Sequence, residues 1–235
     1  MTTPNVRAVL FDWDGTLVDT AEASFRCYVR LFEEFGVPFD RETYARTYSP
    51  NWYQTFRMLD IPEERWPHAD ERWLAHFAEE EVALIDGARE LVVALHERGL
   101  ATGIVTSGSR QRVQRELGTH GFAFHECVFG CDVQEKKPHP EGLLLCLDRL
   151  KIAAGEAVYV GDSPEDVAMA RAAGVYSIAV PGGYPNREAL LASRPDRFVE
   201  SLSEVLPVIL SRVDGEGPPA ESTSSAQIRG SFAVY

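Results

Sequence analysis

Short apolar runs, spaced along the first two hundred residues, set the framework of this chain. Val9-Leu10-Phe11, Ala101 to Val105, Cys127-Val128-Phe129, Ala157 to Val160 and Tyr176 to Val180 each read as strands. Helical spacing fills much of what lies between. Phe25, Tyr28, Val29, Phe32 and Phe35 recur on one face, and Gly36-Val37-Pro38 ends that helix. Further helices are predicted over Arg41 to Thr47, Trp52 to Leu59 and Glu63 to Glu80, before Leu84 to Ala88 returns the chain to its core. A helical pattern through Val113 and Leu117 follows the second strand, and Ala168 to Ala173, Arg187 to Ala192 and Leu202 to Leu210 complete the set. From Val213 the composition turns to Gly, Pro, Ser and Thr, so residues 213–235 read as a tail whose apolar end, Ser231 to Tyr235, could dock as an extra strand or on a neighbour.

The ends of these strands carry the polar chemistry. Strand one runs into Asp12-Trp13-Asp14-Gly15-Thr16, where the residue between the carboxylates points the other way and Gly15 permits a sharp exit. Two carboxylates that close repel unless a cation or a proton lies between them. Strand two ends at Thr106-Ser107-Gly108-Ser109, which gathers a hydroxyl and backbone N–H groups at a helix start, a seat for an anion. Lys136-Lys137 are the first lysines of the chain, with only Lys151 after them. A fourth strand ends at Gly161-Asp162-Ser163-Pro164-Glu165-Asp166, placing Asp162 at a strand tip where it can ligate metal, with Asp166 in support.

A carboxylate nucleophile, a second carboxylic acid, a hydroxyl, an ammonium and a further carboxylate suit transfer of a phosphoryl group to aspartate. Oxygen-only ligands favour Mg²⁺, which keeps several waters and needs few protein oxygens. Asp12 and Asp162 are expected to bind it by side chain and Asp14 by backbone carbonyl, leaving the Asp14 side chain free for acid/base work.

Asp12-x-Asp14-Gly15-Thr16, Thr106, Lys137-Pro138 and Gly161-Asp162-Ser163-x-x-Asp166 together resemble the four motifs of the haloacid dehalogenase-like hydrolases, over residues 6 to 212. The resemblance implies an α/β fold: a doubly wound parallel sheet, Rossmann-like, with an inserted α-helical cap and the site at the carboxyl ends of the strands. On that reading residues 1–16 and 85–212 form the core domain and 17–84 the cap. The resemblance makes Asp12 the nucleophile, Asp14 the general acid/base, Thr106 and Lys137 the phosphoryl-binding pair, and Asp12, Asp14 and Asp162 the magnesium ligands. Asp166 and Ser163 would steady the metal site, and Gly15, Thr16, Ser107 and Gly108 would add phosphate contacts. Dehalogenases of the family lack the second aspartate, so Asp14 favours a phosphatase. Phosphonoacetaldehyde hydrolases use a cap lysine that this chain does not have. The long insertion, the KPHPE run and Ala172 to Val175 look most like the phosphoglycolate phosphatase-like branch. Trp13 replaces the usual Phe, a change expected to face away from the site and leave its chemistry untouched.

Charge and size narrow the partners. The net charge of −13 disfavours nucleic acid and anionic membranes. No stretch approaches a membrane span, and Met1 to Asn5 lacks a signal-like pattern, so a cytoplasmic enzyme, monomer or homodimer, acting on a small phosphorylated metabolite is expected. The scattered Cys27, Cys127, Cys131 and Cys146 read as reduced thiols rather than as a disulfide set, and a zinc site from His125, Cys127, Cys131 and His139 is the weaker reading. In the insertion, Arg46, Tyr48, Trp52 and Tyr53 lie beside a predicted turn and could read the leaving group; the plainer reading has the aromatics pack the cap and Arg46 stand as a solvated charge. His68 and His76 are expected on the surface.

Three alternatives share parts of this chemistry. A phospho-accepting receiver module uses a similar residue set, but is about half this length. A serine esterase built on Ser163 lacks a histidine after His139. A phosphosugar mutase of the same superfamily would carry the same core residues and differ in where the phosphoryl group goes.

Overall fold

The computed structural model describes residues 6–49 and 51–213. Among the described residues eight strands are formed: β1 (Ala8–Phe11), β2 (Val18–Asp19), β3 (Ala83–Leu84), β4 (Ala101–Val105), β5 (Glu126–Val128), β6 (Ala157–Gly161), β7 (Tyr176–Ala179) and β8 (Arg197–Phe198). Between β2 and β3 lie the helices α1 (Ala21–Glu34), α2 (Arg41–Thr47), α3 (Trp52–Met58) and α4 (Trp66–Phe77). The later helices are α5 (Ala88–Glu97), α6 (Arg110–His120), α7 (Glu141–Leu150), α8 (Pro164–Ala173), α9 (Arg187–Ala192) and α10 (Val205–Val213).

Six strands form one parallel sheet in the order β5-β4-β1-β6-β7-β8. The chain moves outward from β1 through β4 to β5, then crosses back to β6 on the other side of β1. That reversal is the topological switch of a doubly wound sheet, where crevices open at the strand carboxyl ends. Alternation along β1 shows why it sits at the centre. Val9 and Phe11 join a cluster with Leu91, Leu95 and Ile209, whereas Ala8 and Leu10 join another with Leu143, Leu147 and Met169. Both faces are covered, so all four residues of β1 are fully buried.

The segment between β2 and β3 has its own apolar cluster. Tyr28, Leu31 and Phe32 of α1 pack with Tyr44, Phe56 and Trp66. Asp40 caps α2 by accepting from the Thr43 N–H at 2.8 Å, and Asn51 caps α3 through the Tyr53 N–H at 3.2 Å. The short ribbon of β2 and β3 closes the segment at its base, pairing Val18 with Leu84.

Most predicted elements coincide with observed ones. Helices α5 and α7, the ribbon and the edge strand β8 were not legible in the pattern. The tail predicted from Val213 lies outside the described residues beyond that position, where α10 ends. Among the cysteines, Cys27 and Cys146 are buried and Cys131 is exposed, all four free. His68 is exposed as expected, but His76 is buried with its Nε2 2.9 Å from Glu34.

Candidate active site

The strand tips of β1, β4 and β6 converge, as their registers require: Phe11 pairs with Ile104 on one side and Val160 on the other. Asp12 therefore sits beside Thr106 and Asp162, and all three are buried. The Lys137 ammonium donates to Asp12 Oδ1 at 2.7 Å, to Asp166 Oδ1 at 2.7 Å and to the Tyr159 hydroxyl at 2.8 Å. The Lys137-Pro138 peptide is cis. Burial pushes the Asp12 carboxyl up to about 7, with Lys137 opposing and Asp166 and Asp14 adding to the rise. Burial alone would lower Lys137, yet Asp12 and Asp166 outweigh it and hold its pKa above the ordinary value.

Asp166 is a supporting group by construction. It stands at the third position of α8, and its Oδ2 accepts from the Ser163 hydroxyl (2.7 Å), the Ser163 N–H (3.0 Å) and the Asp162 N–H (3.2 Å). Ser163 returns a bond from the Asp166 N–H, completing a capping box behind Pro164. The loop carrying Asp162 is thereby fixed, and Asn186 braces it by donating to the Asp162 carbonyl at 3.0 Å.

Carboxylate oxygens of Asp12, Asp162 and Asp166 lie within 4.8 Å of one another, a metal-ligand spacing found in this one group among the described residues. Burial, then Asp166 and Asp12, push the Asp162 carboxyl well above the usual range, as expected where carboxylates gather with one ammonium between them. Two glycines shape the floor beneath Asp162. A Cβ at Gly182 would overlap Asp162 Oδ2 and lie 2.6 Å from the Gly15 carbonyl oxygen; one at Gly15, whose φ is +76°, would also meet Asp162. Hard, anionic oxygens in a tight cradle fit a small divalent cation such as Mg²⁺.

Asp14 does not have a free side chain. Both its oxygens are engaged by Arg112 of α6, Oδ1 by Nη1 at 2.8 Å and Oδ2 by Nη2 at 2.5 Å. Arg112 also donates to Glu116 one turn on, at 3.1 and 3.2 Å, and Glu116 accepts the Trp13 indole N–H at 2.7 Å. Trp13 faces away from the site as expected, but is linked to it through Glu116 and Arg112. A Phe could not make that bond.

A cavity of about 560 Å³ lies above these groups. Asp12, Asp14, Thr106, Ser107, Gly108, Lys137, Asp162 and Ser163 form one end, and Tyr48, Trp52 and Tyr53 are among the residues of the other. Gly15, Thr16 and Arg46 are not part of its lining. Thr16 is fully buried in the turn, while Arg46 is exposed. The Thr106 hydroxyl accepts the Gly108 N–H at 3.0 Å, which holds the anion-seat loop in shape. Sequence reasoning missed Arg112, Glu116, Tyr159, Tyr184 and Asn186. Tyr184 stacks on Tyr48 at 5.0 Å and shares its hydroxyl with Thr20 and Ser24, tying the last core loop to the inserted helices.

A doubly wound sheet thus gathers two aspartates from one strand tip, a hydroxyl, a lysine and a third aspartate at its strand ends. Comparison with known proteins identifies the class. The haloacid dehalogenase-like hydrolase family model matches residues 9–180, and the chain belongs to that family. It is 32% identical to a phosphoglycolate phosphatase of Salmonella typhimurium, over 87% of this chain and 93% of that protein. A phosphoglycolate phosphatase of Escherichia coli K12 is 31% identical over the same shares. Among solved structures, CbbY from Rhodobacter sphaeroides in complex with phosphate superposes with a TM-score of 0.70, at 28% identity, covering 85% of this chain and 96% of that one. The chain is a phosphoric monoester hydrolase of the phosphoglycolate phosphatase-like branch. Among the described residues no helix is long and apolar enough to cross a membrane.

Proposed function

We propose that this phosphatase hydrolyses a small phosphate monoester through a phosphoryl-Asp12 intermediate, with Mg²⁺ as cofactor. The observation that carries the proposal is the position of Asp12: buried at the tip of β1, bonded to Lys137, and open to the cavity beside Asp162 and Thr106. Asp12 and Asp162 by carboxylate, and Asp14 by carbonyl, would hold the metal, which when bound neutralises charge on the nonbridging phosphoryl oxygens.

In the first step an Asp12 oxygen bonds to phosphorus as the bond to the alcohol oxygen breaks, and Asp14 gives that oxygen a proton. Asp14 then takes a proton from water as the water attacks the same phosphorus, and the bond to Asp12 breaks. Because Arg112 grips both Asp14 oxygens, Asp14 exchanges one of these bonds for the leaving oxygen during the first step. Thr106 and Lys137 meet the phosphoryl oxygens, where fixed donors count most because phosphoryl transfer asks chiefly for positioning and charge neutralisation. We further propose that residues 17–84 act as a cap, closing over the substrate and excluding bulk water.

The test is phosphate release from a panel of esters with Mg²⁺ and with EDTA, for wild type and Asp12→Asn. Metal-dependent release by wild type alone supports the proposal. A mutase would instead return the phosphoryl group to a sugar, and its signature is an isomerised sugar phosphate with little free phosphate.

A further inference from the structure

The cavity is much larger than a phosphoryl group and a short acid require. At about 560 Å³ it falls in the range of roughly 300–1,000 Å³ that encloses drug-sized ligands. Its upper wall is built from aromatic rings of the inserted helices, among them Tyr28, Tyr44, Tyr48, Trp52, Tyr53 and Trp73.

Three of these rings are held rigid. The Trp52 indole N–H and the Tyr53 hydroxyl both donate to Asp70, each at 2.7 Å, one to either oxygen. Tyr53 also stacks on Trp66 at 4.8 Å with planes 12° apart. Tyr48 is backed by Tyr184 at 5.0 Å and 20°. Flat faces fixed before a ligand arrives recognise another flat group at small entropic cost.

The charges of the same cavity argue against a second anion. Lys137 is engaged by Asp12 and Asp166, and Arg112 by Asp14 and Glu116, so each buried cation faces two carboxylates. Arg57 lies over Trp66 and pairs with Glu63, and neither it nor Arg46 lines the cavity. Lys136 remains, exposed, with its ammonium 5.1 Å from the Trp52 ring centroid. Asp70 adds a negative charge to the wall. A carboxylate on the alcohol would leave water for a wall that offers neutral donors such as Ser49, Asn51 and Gln134 but one solvated lysine as its cationic partner, a poor exchange for a charge.

We infer that the alcohol released by this enzyme carries a flat, uncharged aromatic or heteroaromatic ring, seated among Tyr48, Trp52 and Tyr53, and no second anionic group. The inference rests on the phosphatase reading, and it departs from the substrate in the relatives' name, phosphoglycolate, whose alcohol part is a small carboxylate.

The experiment compares kcat/KM, with Mg²⁺, for benzyl phosphate, pyridoxine 5′-phosphate, phosphoglycolate and glucose 6-phosphate, with p-nitrophenyl phosphate as an activity control. The expected result is at least a tenfold preference for the two ring-bearing alkyl esters over phosphoglycolate and glucose 6-phosphate, carried mainly by KM. Trp52→Leu and, separately, Tyr53→Leu should each shrink that preference at least fivefold. Equal or better use of phosphoglycolate or glucose 6-phosphate overturns the inference while leaving the phosphatase reading intact. A preference that both variants leave unchanged overturns the proposed seat. Release from none of the esters, the nitrophenyl ester included, overturns the phosphatase reading and this one with it.

Discussion

Arg112 grips Asp14 through two parallel N–H···O bonds, 2.8 and 2.5 Å long, so the second carboxylate of the site is tied to helix α6. Burial alone would lower the Arg112 pKa, but Asp14 and Glu116 hold it above the ordinary value, and the guanidinium stays charged. Removing one member of a buried charge group leaves its partners uncompensated, which typically costs about 3–5 kcal/mol. Arg112→Met should therefore lower unfolding stability in urea by about that amount. A change under about 1 kcal/mol, the scale of a surface pair, would contradict the buried role.

Trp13 reaches the same group through Glu116. Trp13→Phe keeps an apolar ring but removes a donor from a buried carboxylate, a loss of about 1–3 kcal/mol. Urea denaturation checks this, and combining it with Arg112→Met should give less than the sum of the two losses, because they share Glu116.

Lys137 is the ammonium between Asp12 and Asp166. Lys137→Ala should reduce kcat by about 10²–10³-fold, as when a fixed donor to a developing charge is lost. Steady-state kinetics measure it; a fall under threefold would make Lys137 a bystander.

Metal binding should depend on pH. Burial raises Asp12 to about 7, and Asp162 is raised as well, so the metal-free folded protein binds protons here that the unfolded chain has released. The stability this contributes is fully present below about pH 4, the ordinary carboxyl range, and is lost as pH rises through about 7. Mg²⁺ held as proposed by Asp12 and Asp162 would compete for the same oxygens, so its stabilisation should grow over that interval. Thermal unfolding with and without Mg²⁺ at pH 5.5 and 8 should show the larger shift at pH 8. An equal or reversed shift would count against Asp12 and Asp162 as ligands.

Gly182 lies against Asp162 and the Gly15 carbonyl, with no room for a Cβ. Gly182→Ala should weaken Mg²⁺ activation at least tenfold while far-UV circular dichroism stays unchanged. An unaltered Mg²⁺ requirement would show that the cradle is not part of the metal site.

What could be read from the chain was whatever is local. The strands of the sheet interior are short apolar runs, and the residues at their tips carry chemistry that depends on type and near spacing, as with Asp12 and Asp14 or Ser163 and Asp166. Strand β8, two residues long, leaves almost no pattern. Helix α6 is strongly polar, and its buried Arg112 and Glu116 look like solvent-facing charges until β1 is placed beside them. Tyr184 follows a Pro-Gly-Gly run that reads as a loop, and only folding brings it to Tyr48. Arg46 shows the opposite failure: a cation near the cavity's aromatics in sequence that is exposed to solvent.

The proposed reaction stands or falls with phosphoryl transfer to Asp12. The direct measurement is acid quench during turnover, borohydride reduction of acyl phosphates, and peptide mass spectrometry. Homoserine is expected at position 12 in wild type with substrate and Mg²⁺, and none in Asp12→Asn or without substrate. Homoserine at another aspartate, or none at position 12 from an enzyme that is turning over with its phosphoenzyme trapped by rapid quench, would contradict it.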